Sequence, residues 1–303
     1  MRSSSNPERR KPEASHFEAE SGQRDGGRGR GGLSLVSLGP GFVEHMTPRA
    51  LAALADAEVV VGYRTYLDLV SELIQGKRTV ASGMRKEVAR CRAAIDEALS
   101  GSRVALISSG DAGIYGMAGL VFDICRERGV AVIPASADND REPEDRSSGP
   151  AESDGVPLRV EVIPGVAAFN AAAARLGAPL MHDFAAVSLS DHLTPWPVIA
   201  GRLEAAAQAD FVLAIYNPRS GSRPHRLSEA RDILLRHRPA ETPVGLVQRA
   251  MRDGEARRLA TLGTLPVEWV DMQTVVLVGN SRTYVWNDWM VTPRGYLDKY
   301  DVE

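Results

Sequence analysis

The chain reads as an α/β protein in two halves, and three observations predict it. Short apolar runs alternate with segments whose apolar residues recur at helical spacing. Most of these runs end in loops of Gly, small or polar residues, as at the carboxyl ends of strands in open α/β sheets, where ligands bind. Late in the chain the runs lie too close together for helical crossovers, which predicts some antiparallel pairing. The alternation resumes past Pro179, so two α/β halves joined near 177–181 is the economical arrangement.

Size and composition fit this. A chain of 303 residues allows one large or two medium domains, and 44% apolar residues fill real cores. With aromatics at 6%, those cores are built of Val, Leu, Ile and Ala. A net charge of −3 argues against a nucleic-acid binder, which needs a basic face. The two cysteines, Cys91 and Cys125, fall on the apolar sides of helical patterns with no zinc-like spacing. They read as buried structural thiols, and no metal is expected. No apolar run approaches the ~20 residues of a membrane span, and the start carries no apolar signal core. A cytoplasmic setting is expected.

Residues 1–31 are Ser, Glu, Arg and Gly with little to bury, and read as a disordered tail. Residues 33–38 are a strand running into Gly39-Pro40-Gly41. Thr47 is an N-cap with Pro48 at the first helical position. Residues 59–61 are a strand. Helical spacing follows at Leu67, Val70 and Ile74, then at Val88, Cys91, Ile95 and Leu99. Residues 104–107 are a strand, and Met117, Leu120, Val121 and Ile124 mark a helix face. Two similar runs come next, 130–134 and 158–163, separated by an acidic, Ser/Pro/Gly-rich stretch read as a disordered insertion over 135–157. The second run leads to Gly165 and a helix ended by Gly177, so it is the sheet strand. The first is either a short extension or part of the insertion. The second half alternates strand 185–189, a helix marked by Val198 to Ala206, strand 211–216 and a helix marked by Leu227 to Leu234. Strands at 244–247, 258–261 and 274–278 close it.

The loops carry the chemistry. The most informative is Ile107-Ser-Ser-Gly-Asp-Ala-Gly-Ile-Tyr-Gly116, a strand end and glycine turn that opens main-chain groups to a close ligand. Asp111 there is either a helix N-cap or a ligand contact, and Tyr115 can stack or hydrogen-bond. After 33–38 the spacing lacks the later glycines of a dinucleotide fingerprint, and Pro40 removes a donor, so a Rossmann-type site is not expected. Pro164-Gly165-Val166-Ala167-Ala168 is a second turn of small residues. Asn217 offers an amide, and Arg219 can grip a carboxylate in a forked pair. Ser190-Asp191-His192 and Asn280-Ser281-Arg282 end two further strands. No His sits in a motif with a Ser or Cys nucleophile, so hydrolysis by a triad is not expected.

Taken in order, these phrases resemble the tetrapyrrole methylases, the S-adenosylmethionine-dependent methyltransferases of corrin and sirohaem synthesis. The carrying pieces are Gly39-Pro40-Gly41, Ser109-Gly110-Asp111, Pro164-Gly165-Val166 and Tyr216-Asn217-Pro218, and the likeness runs from Leu33 to Tyr296 apart from the insertion. Val61-Gly62-Tyr63, Tyr66-Leu67-Asp68, Ser188 through Trp196, Asn217-Pro218-Arg219-Ser220 and Asn280 through Trp286 resemble the branch that methylates C17 with ring contraction.

The resemblance implies two α/β domains, 32–179 and 180–303, with a cleft between them. The N-terminal sheet would be parallel and the C-terminal sheet mixed. It implies S-adenosylmethionine as donor, held by Gly110, Asp111, Ala112, Ile114, Tyr115, Ala167, Ala168, Asn217 and Ala250. The tetrapyrrole, precorrin-3B or its cobalt-containing counterpart, would meet Gly39, Pro40, Gly41, Ser190, Arg219, Asn280 and Arg282. A homodimer is implied, with neither nucleic acid nor membrane as partner. Ring contraction needs proton transfers, for which Asp191 is the candidate, with Tyr63 orienting it. The chain departs from the family pattern at Ala167, where a hydroxyl residue is usual, and at Phe42, where Asp is usual. A tetrapyrrole carrier would bind the ring and ignore the donor, and the intact donor loop argues for an enzyme instead.

Overall fold

The computed structural model describes residues 31–83, 86–135 and 156–301. Residues 1–30 of the expected tail and nearly all of the expected insertion lie outside the described residues.

Six parallel strands form the first sheet: β1 (Gly32–Ser37), β2 (Val59–Tyr63), β3 (Arg78–Ser82), β4 (Arg103–Ser108), β5 (Val132–Pro134) and β6 (Leu158–Ile163). Their order is β3-β2-β4-β1-β6-β5. Helices α1 (Pro48–Asp56), α2 (Arg64–Leu69), α3 (Glu87–Leu99) and α4 (Ala118–Glu127) cover both faces. Strand side chains alternate between the faces. Leu33, Leu35, Val59, Val61, Val104 and Leu106 pack with α3 and α4. Val36, Val60, Ala105 and Ile107 pack with α1 and α2 on the other side.

Five strands form the second sheet: β8 (Phe184–Ser188), β9 (Val212–Tyr216), β10 (Pro243–Gln248), β11 (Ala256–Thr261) and β12 (Thr274–Val278). Their order is β11-β10-β12-β9-β8, with β8 and β9 parallel and the other pairs antiparallel. Helices α6 (Trp196–Gln208) and α7 (Arg226–Leu235) cover one face, and α5 (Ala168–Leu176) covers the other. Gly245 allows α5 to close in, since a Cβ there would lie 2.4 Å from Leu176 Cδ1. The polypeptide therefore passes from the first sheet to the second at Pro164–Ala167, earlier than the 177–181 junction that the sequence suggests. Beyond that junction, β7 (Gly177–Ala178) pairs with β14 (Trp289–Val291) of a hairpin whose other strand is β13 (Tyr284–Trp286).

The α/β class and the parallel and mixed sheets are as expected, and Thr47 caps α1 by accepting from Ala50 N at 3.1 Å. Several local expectations differ. β3 is polar and half-exposed and carries no apolar signal. The run at 130–134 supplies edge strand β5, paired with β6. Helix α2 stops at Leu69, and Val70 and Ile74 are buried from turns. In α3 the inward face is Cys91, Ala94, Ile95 and Ala98, while Val88 and Leu99 are exposed. Both cysteines are buried and free, and burial pushes the Cys91 thiol up to about 11, as for an inert structural thiol. The hairpin of β13 and β14 was not predicted, because its short strands lack alternation.

Candidate active site

The sheet order explains which loops meet. Strands β4, β1 and β6 are neighbours, so the loops at their carboxyl ends converge. Gly39 N donates to Gly110 O at 3.1 Å and Gly110 N to Gly39 O at 2.7 Å. Both glycines are left-handed, with φ of 68° and 67°. Asp111 is not a helix N-cap, since α4 starts after Met117. Its Oδ1 accepts from Gly113 N at 2.7 Å and its Oδ2 from Gly165 N at 3.0 Å, joining the β4 and β6 loops. Ser37 Oγ accepts from Ala112 N at 2.8 Å. Gly165 is enclosed: a Cβ there would lie 2.6 Å from both Gly110 O and Ser37 Cβ.

The second sheet brings four segments to its facing edge. Strands β8, β9 and β10 all end there, and β12 begins there because it runs antiparallel to β9 and β10. Asn217, at φ 48°, donates from Nδ2 to Ser188 Oγ at 2.9 Å. Tyr216 Oη accepts from Phe169 N at 3.1 Å, tying β9 to the first turn of α5. Burial pushes that phenol up to about 12, so it stays protonated at neutral pH. Tyr115 reaches across from the β4 loop. Its ring lies 5.1 Å from that of Tyr216, and its hydroxyl donates to Ala186 O at 2.9 Å. After β10, Arg249 and Met251 take φ of 48° and 58°, and Glu255 Oε2 accepts from Met251 N at 2.5 Å. Of the seven non-glycine residues with positive φ among the described residues, Tyr115, Asn217, Arg249 and Met251 belong to these loops. Backbone strain of this kind clusters at ligand sites.

Between these edges lies a cleft of ≈ 1150 Å³. Pro40, Tyr63, Ala168, Ser190, Asp191, Asn217 and Ala250 line it, bringing together residues that the sequence assigned to donor, substrate and proton transfer. Gly39, Gly110, Ala112 and Ala167 are buried in the supporting turns, and Gly41 sits against Arg252. Ile114 is partly exposed on the β4 loop. Asn280 and Arg282 are not brought to the cleft. They follow the carboxyl end of β12, which exits at the opposite edge, and there Asn280 closes a turn with Thr283 while Arg282 pairs with Asp298. Arg219 pairs with Glu268 and lines a smaller adjoining cavity of ≈ 530 Å³.

Asp191 faces the cleft, but its Oδ2 accepts from Arg226 Nη2 at 2.6 Å and Nε at 2.9 Å, with Arg223 at 3.8 Å. The Arg226 hydrogen bonds hold its carboxyl below the usual carboxylate range. Tyr63 packs edge-on against Tyr66 at 5.3 Å, with the buried Arg90 guanidinium 5.9 Å from its ring centroid. Sequence reasoning missed Arg252. From the β10 turn it donates Nε to Pro40 O and Nη2 to Ser109 Oγ, joining the two edges. Its one signal was its place two residues after Ala250.

Comparison with known proteins agrees with this architecture. Residues 32–136 and 151–266 match the family described as Tetrapyrrole (Corrin/Porphyrin) Methylases. A probable cobalt-factor III C(17)-methyltransferase of Salmonella typhimurium is 47% identical over 264 residues, 87% of this chain and 99% of that one. A cobalt-factor III methyltransferase of Priestia megaterium is 45% identical over 89% of this chain, which spans 46% of that protein's length. A precorrin-3B C(17)-methyltransferase of a Sinorhizobium species is 38% identical, covering 88% of this chain and 97% of that one. The crystal structure of the methyltransferase CobJ superposes with a TM-score of 0.73 at 34% identity, over 87% of this chain and 100% of that one. By sequence and by fold, the chain belongs to the tetrapyrrole methylases.

Proposed function

We propose that this chain transfers a methyl group from S-adenosylmethionine to C17 of precorrin-3B, with ring contraction to precorrin-4, in cobalamin synthesis. The observation that carries the reading is the cleft walled by the loops of β4, β6, β8, β9 and β10. The residues there fit a folded nucleoside. Ala168 and Ala250 leave the wall without bulk, and Asn217, with its left-handed backbone, lines the same space. Gly110, Asp111, Ala112, Ile114, Tyr115, Ala167, Ala168, Asn217 and Ala250 would hold the donor, and Pro40, Ser190 and the turn at Gly39 and Gly41 the ring. When bound, the donor supplies an electrophilic methyl.

The chain's own task is alignment and exclusion of water, and holding both partners in line supplies much of the rate. Asp191, kept ionised by Arg226, can accept a proton during contraction but not donate one, and the same ion pair lowers its basicity. Tyr216, protonated at neutral pH, is suited to orientation alone. The chain would work as a cytoplasmic homodimer. The exposed Tyr284, Trp286 and Trp289 of the hairpin support a self-association surface, and no helix among the described residues is long and apolar enough to cross a membrane.

A second reading concerns the metal state of the ring. The relatives named for cobalt-factor III are 45% and 47% identical, against 38% for the relative named for precorrin-3B, and this supports a cobalt-containing ring as the alternative substrate. Incubation with precorrin-3B and with cobalt-factor III, each with methyl-labelled donor, followed by mass spectrometry, tests both. One labelled methyl on either ring is expected, and the metal state follows from which gains it. No gain on either would refute the function.

A further inference from the structure

Arg252 is half-buried at the seam of the cleft, and among the described residues no carboxylate pairs with it. Its two hydrogen bonds go to neutral acceptors, the carbonyl of Pro40 and the hydroxyl of Ser109. A guanidinium has five N–H donors in a planar fork. Nε and one Nη2 proton are used, and they lie on one edge of the fork. The other edge, Nη1 with the second Nη2 proton, makes no hydrogen bond to a described residue, and Nη1 is not among the sealed orphan atoms. That edge has the geometry that takes a carboxylate in a paired contact.

The surroundings keep the fork in place. Gly41 is the residue that admits it, since a Cβ there would lie 2.4 Å from Arg252 Cγ. The turn that carries it is fixed by Glu255 on Met251 N. Burial pushes the guanidinium below its ordinary value, the expected direction for a cation awaiting a counter-ion. Of the neighbouring cleft cations, Arg223 is engaged by Leu189 O and, at 3.8 Å, by Asp191, while Arg249, bonded through Nε to Gln273, is exposed where Arg252 is half-buried.

We propose that Arg252 is a specificity-determining residue whose free edge clamps a peripheral carboxylate of the tetrapyrrole, leaving its bonds to Pro40 and Ser109 intact. This rests on the tetrapyrrole reading above. It assigns the recognition of ring carboxylates to the β10 turn of the second sheet, held against the β1 and β4 loops of the first.

Uroporphyrin III, a stable octacarboxylate macrocycle, is the probe, with its affinity followed by fluorescence. S-adenosylhomocysteine affinity, followed by calorimetry, and thermal unfolding serve as controls. Arg252→Gln is expected to weaken uroporphyrin about 10-fold or more while S-adenosylhomocysteine stays within about twofold. Arg252→Lys, which keeps the charge and loses the fork, is expected to weaken uroporphyrin by about threefold or more, and it carries the test if the Gln variant does not fold. Uroporphyrin binding within twofold of the unmodified protein, or equal weakening of both ligands, would overturn the assignment. Failure of the unmodified protein to bind uroporphyrin would instead count against the tetrapyrrole reading itself.

Discussion

The two edges of the cleft are built differently. On the first sheet, three adjacent parallel strands deliver glycine turns that bond main chain to main chain, with Asp111 as the tie between two of them. On the second sheet, a mixed order delivers side chains: Asn217 on Ser188, Tyr216 on Phe169 N, Asp191 under Arg226, and Arg252 across the seam. A wall of main chain recognises shape and tolerates little added volume. A wall of side chains recognises charge and tolerates substitution at graded cost.

That contrast can be broken most forcefully at Gly165. Gly165→Val puts carbon where Gly110 O and Ser37 Cβ already stand. We expect destabilisation at the upper end of about 1–3 kcal/mol with loss of S-adenosylhomocysteine binding, measured by denaturant unfolding and calorimetry. A variant of native stability would mean that the first edge is not closely packed. Asp111→Asn comes next. One amide oxygen cannot replace both carboxylate acceptors, so Gly113 N or Gly165 N loses its partner, at about 1–2 kcal/mol.

The same contrast explains how much was legible in the sequence. The first edge was readable because glycine and small residues after apolar runs carry a backbone requirement in their identity, as at Gly39, Gly110 and Gly165. The second was readable only in part, because a side chain's role depends on strand direction. Asn280 and Arg282 follow a strand end as Asn217 does, yet β12 runs the other way and takes them to the far edge. Arg219 and Arg252 look alike in sequence, but the first is met by Glu268 and the second by neutral oxygens. β3 escaped notice because parallel pairing with β2 holds it in the sheet without an apolar pattern.

Smaller effects sharpen the account of the second edge. Tyr216→Phe leaves Phe169 N without its acceptor and is expected to cost about 1 kcal/mol, with an unchanged pH profile near neutrality because the phenol titrates at about 12. Asp191→Asn is the mildest for folding. Arg226 holds the folded carboxyl below its ordinary value, so the pair's contribution is present above the unfolded carboxylate range and is lost as pH falls through the folded value. The variant should therefore lose less stability than the parent as pH falls below the ordinary carboxylate value of 3.8 when melting temperatures are compared, while S-adenosylhomocysteine affinity holds and methyl transfer slows. An identical acid limb, or undiminished turnover, would remove Asp191 from the respective role.

The account turns on one seat for the donor, bordered by both sheets. A crystal structure with S-adenosylhomocysteine tests it most directly. The prediction is a bent nucleoside against Gly110 to Tyr115, Ala168, Asn217 and Ala250, with its sulfur facing the space beside Pro40 and Ser190. Ligand density on one sheet alone, or outside this cleft, would contradict it.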